Sequence, residues 1–153
     1  MKRDWEAFKV KLSYFESGHN PLAINTLGYL GLYQFGELAF QDIYGLAEGS
    51  TKYNYYKKNI KRWDPRQQDE DLKKLYINIV KYFDNYLVKY KSKVINGIKI
   101  SPSGMLAAAH LVGVEATKKY LDNLGKHVLE DAYGTNVEKY IKLFCDYDVQ
   151  LFL

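Results

Sequence analysis

The chain carries E-S-G-H-N-P at residues 16–21 and, after a short gap, G-Y-L-G-L-Y-Q-F-G at residues 28–36, and these two stretches decide the fold we expect. The first stretch puts the carboxylate of Glu16 at the end of a helical pattern, directly before a run of turn residues. The second supplies the glycines of a tight turn that ends at Gln34. A carboxylic acid held at a helix end, facing a glycine-rich turn, is suited to general-acid chemistry.

These stretches resemble the lytic transglycosylases and goose-type lysozymes, whose pattern is E-S-x-x-N-P followed by a loop that ends in G-x-x-G-L-M-Q. The positions of that pattern occur in order and at the expected spacing, with Tyr33 standing where the family usually has Met. The resemblance implies an all-α, lysozyme-like catalytic domain that spans residues 1–153, with about six or seven helices around a glycan-binding cleft. It also implies a peptidoglycan-cleaving enzyme that acts on the β-1,4 bond between N-acetylmuramic acid and N-acetylglucosamine.

The resemblance assigns roles to residues in and beside the two stretches. Glu16 would be the catalytic acid, and Ser17 would hydrogen-bond the substrate or Glu16 itself. Gln34 would brace the loop or contact the sugar, and Tyr33 would form a sugar-facing wall. Hydrolysis usually needs a second carboxylate. Glu37 is the candidate, and the alternative is that it is an exposed helix charge. Without a clear second acid, the lytic transglycosylase mechanism, with Glu16 as acid and then base, is favoured over a hydrolytic muramidase.

Two further segments resemble later motifs of the same family. G-M-L-A-A-A-H-L-V-G at residues 104–113 is similar to the L-A-A-Y-N-A-G motif, with Ala109 and His110 at the positions of the Tyr and Asn. His110 would donate a hydrogen bond to the substrate, or it is a core histidine bonded to the backbone. T-N-V-E-K-Y-I at residues 135–141 is similar to E-T-R-x-Y-V, so Tyr140 would reach the catalytic acid, or it is a core tyrosine.

Composition predicts one globular domain, and the spacing of its histidines predicts no metal site. The chain has 153 residues, of which 47% are hydrophobic and 26% charged, enough to build a core. The single cysteine, Cys145, excludes an intramolecular disulfide. The three histidines lack ligand-type spacing with one another or with the cysteine, so we expect no metal and no cofactor.

The middle of the chain is basic, because Lys and Arg strongly outnumber Asp and Glu across residues 52–99. Within it, Y-N-Y-Y-K-K-N-I-K-R-W at residues 53–63 interleaves bases with aromatic rings. This mixture also fits a non-enzymatic binding module for nucleic acid or cell wall, which is the main alternative. We expect peptidoglycan glycan strands as the partner, no nucleic acid, no membrane insertion and a monomeric protein.

The N-terminus enters an amphipathic pattern without the apolar core of a secretory signal, and no apolar run is long enough to span a bilayer. An enzyme of this kind acts in the periplasm or cell wall. We therefore expect cytoplasmic synthesis followed by phage-type or secretion-system export, as in an endolysin or a secreted effector, or else a truncated sequence.

Hydrophobic periodicity predicts a mostly helical chain. The first helix carries an inward stripe of Trp5, Phe8, Leu12 and Phe15, which places Glu16 at the edge of the buried face. A second helix is expected from Leu32 to Gly45, followed by an irregular segment over 47–62. A long helix is expected from Pro65 to Tyr90, and Asn96-Gly97 would either end it or form a turn after it. Shorter helices are expected over 103–111, 115–124 and 136–147, with an extended connector over 98–100.

Overall fold

The structure, a computed structural model, describes residues 2–153 and is mostly helical, which confirms the predicted all-α character. Its α-helices are α1 (Trp5–Ser17), α2 (Glu37–Tyr44), α3 (Leu46–Lys58), α4 (Pro65–Phe83), α5 (Tyr86–Tyr90), α6 (Pro102–Val112), α7 (Val114–Asp122) and α8 (Val137–Leu143). One small hairpin pairs β1 (Val94–Ile95) with β2 (Ile98–Lys99). Short 3₁₀ turns cover Ile60–Arg62 and Gln150–Phe152. Among the described helices, none combines the length and the apolar character that crossing a bilayer requires.

The chain forms two compact units. One unit comprises the N-terminal segment up to Phe8 together with Ile79–Leu153, and the other comprises Lys9–Asn78. That the chain acts as a single catalytic domain stays a prediction.

The unit that contains Ile79–Leu153 is built around α6, whose residues 103–109 are all buried. The helix starts where the sequence predicts, because Ser101 caps it by accepting a hydrogen bond from the Gly104 amide at 3.1 Å. Gly104 has no side chain to keep α8 away, and a Cβ there would lie 2.9 Å from the Ile141 carbonyl oxygen. The small residues of α6 therefore allow α8 to pack closely against it.

The same unit holds two buried tyrosines that donate hydrogen bonds to carboxylates. Tyr120 donates to Oε2 of Glu138 at 2.6 Å, which ties α7 to α8. Burial, reinforced by Glu138, raises the pKa of Tyr120 well above its usual range. Tyr90 donates to Oδ1 of Asp122 at 2.6 Å, and burial raises its pKa to about 12. Both phenols therefore resist deprotonation more strongly in the folded chain than in the unfolded chain.

We expect the protein to lose stability in alkaline solution because of these phenols. Above a pH of about 10 the unfolded chain releases phenolic protons that the folded chain keeps, so the free energy of unfolding falls as pH rises towards the folded pKa values. In Tyr120→Phe this loss between neutral and alkaline pH should be smaller than in the wild type, as measured by urea unfolding. The exposed Tyr55→Phe serves as control, and an equal change in both variants would contradict the assignment.

The unit formed by Lys9–Asn78 contains α3 where the sequence predicts an irregular segment over 47–62, and that prediction is wrong. The buried face of α3 consists of Gly49, Tyr53 and the half-buried Tyr56, so the periodic residues are not aliphatic. Gly49 lets α3 approach α2 closely, since a Cβ there would lie 2.5 Å from the Gln41 backbone nitrogen. Ring contacts with Phe40 then hold Tyr53 in place.

The long helix α4 begins as predicted, with Oδ1 of Asp64 accepting a hydrogen bond from the Gln67 amide at 2.9 Å. Most of the apolar residues that recur at helical spacing along α4 are buried, including Leu72, Leu75, Tyr76, Ile79 and Phe83. The helix does not run on to Tyr90, because Asp84 adopts a left-handed conformation with φ of 52° and a separate helix, α5, follows. The residues Asn96-Gly97 form the turn of the β1–β2 hairpin.

Candidate active site

Glu16 lies in the last turn of α1 and is half-buried, so it sits at the edge of the buried face as the periodicity predicts. The predicted stripe is wrong at Phe15, which is 36% exposed, while Ser13 is buried instead. Helix α1 ends because Gly18 and His19 both adopt positive φ values, 63° and 64°. The helix end is further fixed by a contact of 2.7 Å between Oγ of Ser13 and Nδ1 of His19.

Ser17 connects this helix end to the far side of the following loop. Its hydroxyl donates to the Leu32 carbonyl at 2.8 Å and lies 3.1 Å from the Ser13 carbonyl. The same oxygen accepts a hydrogen bond from the Asn20 amide at 3.1 Å. Ser17 therefore holds the loop against the end of α1, directly after Glu16, which is a positioning role.

The loop between α1 and α2 is a series of tight turns closed by side-chain amides. Oδ1 of Asn25 accepts hydrogen bonds from the amides of Leu27 and Tyr29, each at 2.9 Å. Gln34 has φ of 57°, and its Nε2 donates to the Gly31 carbonyl at 3.0 Å. The predicted start of the second helix at Leu32 is wrong, because residues 31–36 form these turns and α2 begins at Glu37. The helix ends at Tyr44, directly before Gly45, as predicted.

The surroundings of Tyr33 contradict its predicted role, and those of Glu37 fit one of its two predicted roles. Tyr33 is only 4% exposed, and its hydroxyl donates a hydrogen bond to Oδ1 of Asp69 at 2.5 Å. Its ring therefore offers no open face, and the prediction that Tyr33 forms a sugar-facing wall is wrong. Nζ of Lys9 lies 3.4 Å from Oδ2 of the same carboxylate. Glu37 is exposed in the first turn of α2, where a negative charge is favoured by the helix dipole. This position fits the alternative of an exposed helix charge.

Gln68, which no motif of the sequence indicates, is the central support of the loop. It is fully buried in α4, and its Oε1 accepts a hydrogen bond from the Leu32 amide at 2.7 Å. Its Nε2 donates to the carbonyls of Pro21 at 3.0 Å and Trp63 at 2.7 Å. One side chain thus joins the beginning of the loop, its end and the segment before α4. The only sequence signal is a polar residue one turn before Leu72, on the buried stripe of α4.

Asp71, one turn further along α4 than Gln67, is also fully buried and was not selected from the sequence. Its carboxylate accepts hydrogen bonds from Nε1 of Trp63 at 2.8 Å, from Nε2 of Gln67 at 3.0 Å and from the Tyr44 hydroxyl. Burial and this carboxylate together raise the pKa of Tyr44 well above its usual range. The network fixes the indole of Trp63, whose backbone carbonyl is held by Gln68.

The remaining predicted residues lie in the other compact unit. His110 is half-buried in the last turn of α6. Tyr140 is buried in α8, with its ring centroid 5.3 Å from that of Phe144, which is how a core tyrosine packs. The structure thus brings Glu16, Ser17 and Gln34 together within one unit. The substrate contacts expected of His110 and Tyr140 stay predictions.

Within residues 2–153, no group of three or more His, Cys, Asp or Glu side chains is placed to hold a metal ion. Comparisons of the chain with protein-family models, with curated proteins and with solved structures find no match.

Proposed function

We propose that this protein is a peptidoglycan-cleaving enzyme with a lysozyme-like fold and a glycan-binding cleft, acting as a lytic transglycosylase with Glu16 as its catalytic residue. The observation that carries the proposal is the half-buried residue Glu16 at the end of α1, next to a loop that Ser17 ties back to the same helix end. The sequence pattern of residues 16–36, which resembles that of the family, points to the same chemistry.

In the proposed reaction Glu16 acts twice. As an acid it donates its proton to the glycosidic oxygen, the bond between muramic C1 and that oxygen breaks, and the acetamido group of the substrate stabilises the developing cation at C1. As a carboxylate it then takes the proton from the muramic C6 hydroxyl, whose oxygen bonds to C1. The products are a 1,6-anhydro sugar and a shortened strand, and Glu16 regains its proton.

The loop supplies positioning in this proposal. Ser17 and Gln34 use their side chains on backbone carbonyls of the loop, at Leu32 and Gly31, so both act by fixing its shape. Gln68 completes the support from below, with hydrogen bonds to Pro21 and Leu32. A loop held at three points keeps its backbone groups in place, and correct placement of substrate is a large part of catalysis.

A hydrolytic muramidase of the same fold is the second candidate. It requires a carboxylate that activates water on the opposite face of the sugar. Glu37 is solvent-exposed at the start of α2, which leaves it open to water. The hydrolytic reaction would give a reducing sugar, and Glu37→Gln would lower its rate together with Glu16→Gln.

The non-enzymatic binding module finds less support in the aromatic residues of segment 53–63. Tyr53 is 8% exposed and Trp63 is 1% exposed, and the ring of Tyr56 stacks on Trp63 at 5.6 Å. These rings pack against other side chains of the protein, and Tyr55 is the aromatic residue of that segment that is exposed. Bases of single-stranded nucleic acid need several open ring faces, so this segment is a poor stacking surface.

A comparison of two assays tests the proposal against the binding module. We expect the purified protein to release soluble fragments from dye-labelled peptidoglycan continuously, with repeated turnover. We also expect it to shift an oligonucleotide in a gel only at low salt. Stoichiometric binding to peptidoglycan without fragment release, or a tight shift that survives physiological salt, would contradict the enzyme proposal.

A further inference from the structure

The loop between α1 and α2 exposes a cluster of large apolar side chains to solvent. Leu22 is 45% exposed, Ile24 44%, Leu27 51% and Tyr29 41%, all within eight residues. Their backbone is held in one shape by the Asn25 side chain and by a bridge between Ile24 and Leu30. A rigid, compact segment that exposes three aliphatic side chains to water is typical of an interaction surface.

A basic segment accompanies this loop. Lys57 and Lys58 end α3, and Lys61 and Arg62 belong to the 3₁₀ turn that follows, so four positive charges occur within six residues. All four side chains are exposed.

Two buried side chains fix the loop beside the basic segment. At one end, Nε2 of Gln68 donates both to the Pro21 carbonyl, next to Leu22, and to the Trp63 carbonyl, next to Arg62. Since one nitrogen bonds both oxygens, the chain at Leu22 and the chain at Arg62 pass close to each other.

At the other end, the hydroxyl of the buried Tyr53 donates to the Gly28 carbonyl at 2.6 Å, between Leu27 and Tyr29. Nζ of Lys57 is close enough that a Cβ at Gly28 would lie 3.2 Å from it. The apolar loop and the basic segment therefore form one continuous surface within the Lys9–Asn78 unit, and we call residues 22–29 with 57–62 the loop–lysine surface.

We propose that the loop–lysine surface docks the protein on an anionic lipid bilayer, with the aliphatic side chains in the headgroup region and the Lys and Arg side chains on lipid phosphates. Leu and Ile neither stack on bases nor hydrogen-bond to sugars, whereas they gain free energy by leaving water for lipid. Basic residues next to them add attraction to negatively charged headgroups. The protein would lie on the membrane without crossing it. This inference does not rest on the proposed function.

Vesicle sedimentation tests the proposal with phosphatidylcholine vesicles that contain one-third phosphatidylglycerol or none. We expect binding to the anionic vesicles that weakens as salt is raised, and little binding to the neutral ones. Glu16→Gln should bind as the wild type does, which separates this result from any failure of the catalytic proposal. Equal binding to both vesicle types, or none to either, would overturn the proposal.

The basic half is tested with the double variant Lys57→Gln, Lys58→Gln. Since a basic side chain near an anionic surface contributes about 1 kcal/mol, binding should weaken roughly fivefold per lysine. The matched control is Lys91→Gln, Lys93→Gln, which removes two exposed lysines from the other unit and should leave binding unchanged. An equal loss in both double variants would mean that only net charge matters, which overturns the assigned surface.

The apolar half is tested with Leu22→Ser, Leu27→Ser, which should weaken vesicle binding by at least about tenfold because aliphatic burial is lost. Its control is Val88→Ser, Val94→Ser, two exposed residues of the other unit, with thermal unfolding monitored for all variants. Full binding by the leucine variant would mean purely ionic attachment and would overturn the proposal. So would wild-type binding to an oligonucleotide in preference to the vesicles, or dimerisation that this variant abolishes.

Discussion

Glu16→Gln is expected to reduce the release of peptidoglycan fragments by roughly a thousandfold, since a lost general acid alone costs about 10²–10⁴-fold and Glu16 is assigned both proton transfers. Glutamine keeps the size and the hydrogen-bonding capacity of the side chain, so the fold should remain intact. The rate is measured as dye released from labelled peptidoglycan at substrate saturation, and thermal unfolding by circular dichroism checks the fold.

Glu6→Gln is the matched control, because Glu6 lies on the same helix and is exposed in its first turn. This variant should release fragments at the wild-type rate. If Glu16→Gln releases fragments as fast as Glu6→Gln does, the acid is another residue. A small drop with weaker substrate binding would also contradict the proposal, since it would place Glu16 in binding and not in proton transfer.

Gln68→Leu is expected to lower the free energy of unfolding by about 3–5 kcal/mol, because each buried group left without its hydrogen bond costs about 1–3 kcal/mol. The substitution removes the partner of the Leu32 amide and of the carbonyls of Pro21 and Trp63, at a position whose own side chain is fully buried. Urea unfolding measures the change. Hydrogen exchange of the Leu32 amide should also accelerate, since that proton loses its acceptor.

The control for Gln68→Leu is Gln41→Leu, which removes one hydrogen bond of 2.8 Å to Oγ of Ser50 between partly buried groups. Its expected cost is about 1 kcal/mol. If the two variants lose equal stability, Gln68 is not the support that joins the loop to the segment before α4. A stable Gln68→Leu protein with unchanged exchange at Leu32 would contradict the assignment in the same way.

Local signals in the sequence were enough to predict several helices. The starts of α6 and α4 depend on a few adjacent residues, such as the caps Ser101 and Asp64, and both helices begin within one residue of the predicted position. The apolar stripe of α4 could also be predicted, because its helical period is visible in the sequence. Helix α3 was missed because its buried side consists of Gly49 and tyrosines, and a glycine gives no hydrophobic signal.

The candidate site could be predicted only in part. The pattern around residues 16–36 selects Glu16, Ser17 and Gln34, which lie at one helix end and its loop. It could not reveal that Tyr33 is buried, since the partner of its hydroxyl, Asp69, lies 36 positions further along the chain. Gln68 was missed for a different reason. It is a polar residue on a buried face, and its partners lie far from it along the chain.

Mass spectrometry of the products is the most direct measurement of the central claim that Glu16 cleaves peptidoglycan by transfer to the C6 hydroxyl. Purified peptidoglycan is digested with the wild-type protein and with Glu16→Gln, and the masses of the soluble muropeptides are measured. We predict that the wild type yields muropeptides with 1,6-anhydro ends, each one water lighter than the reducing form, and that the variant yields almost none. Muropeptides with reducing ends from the wild type, or equal yields from both proteins, would contradict the claim.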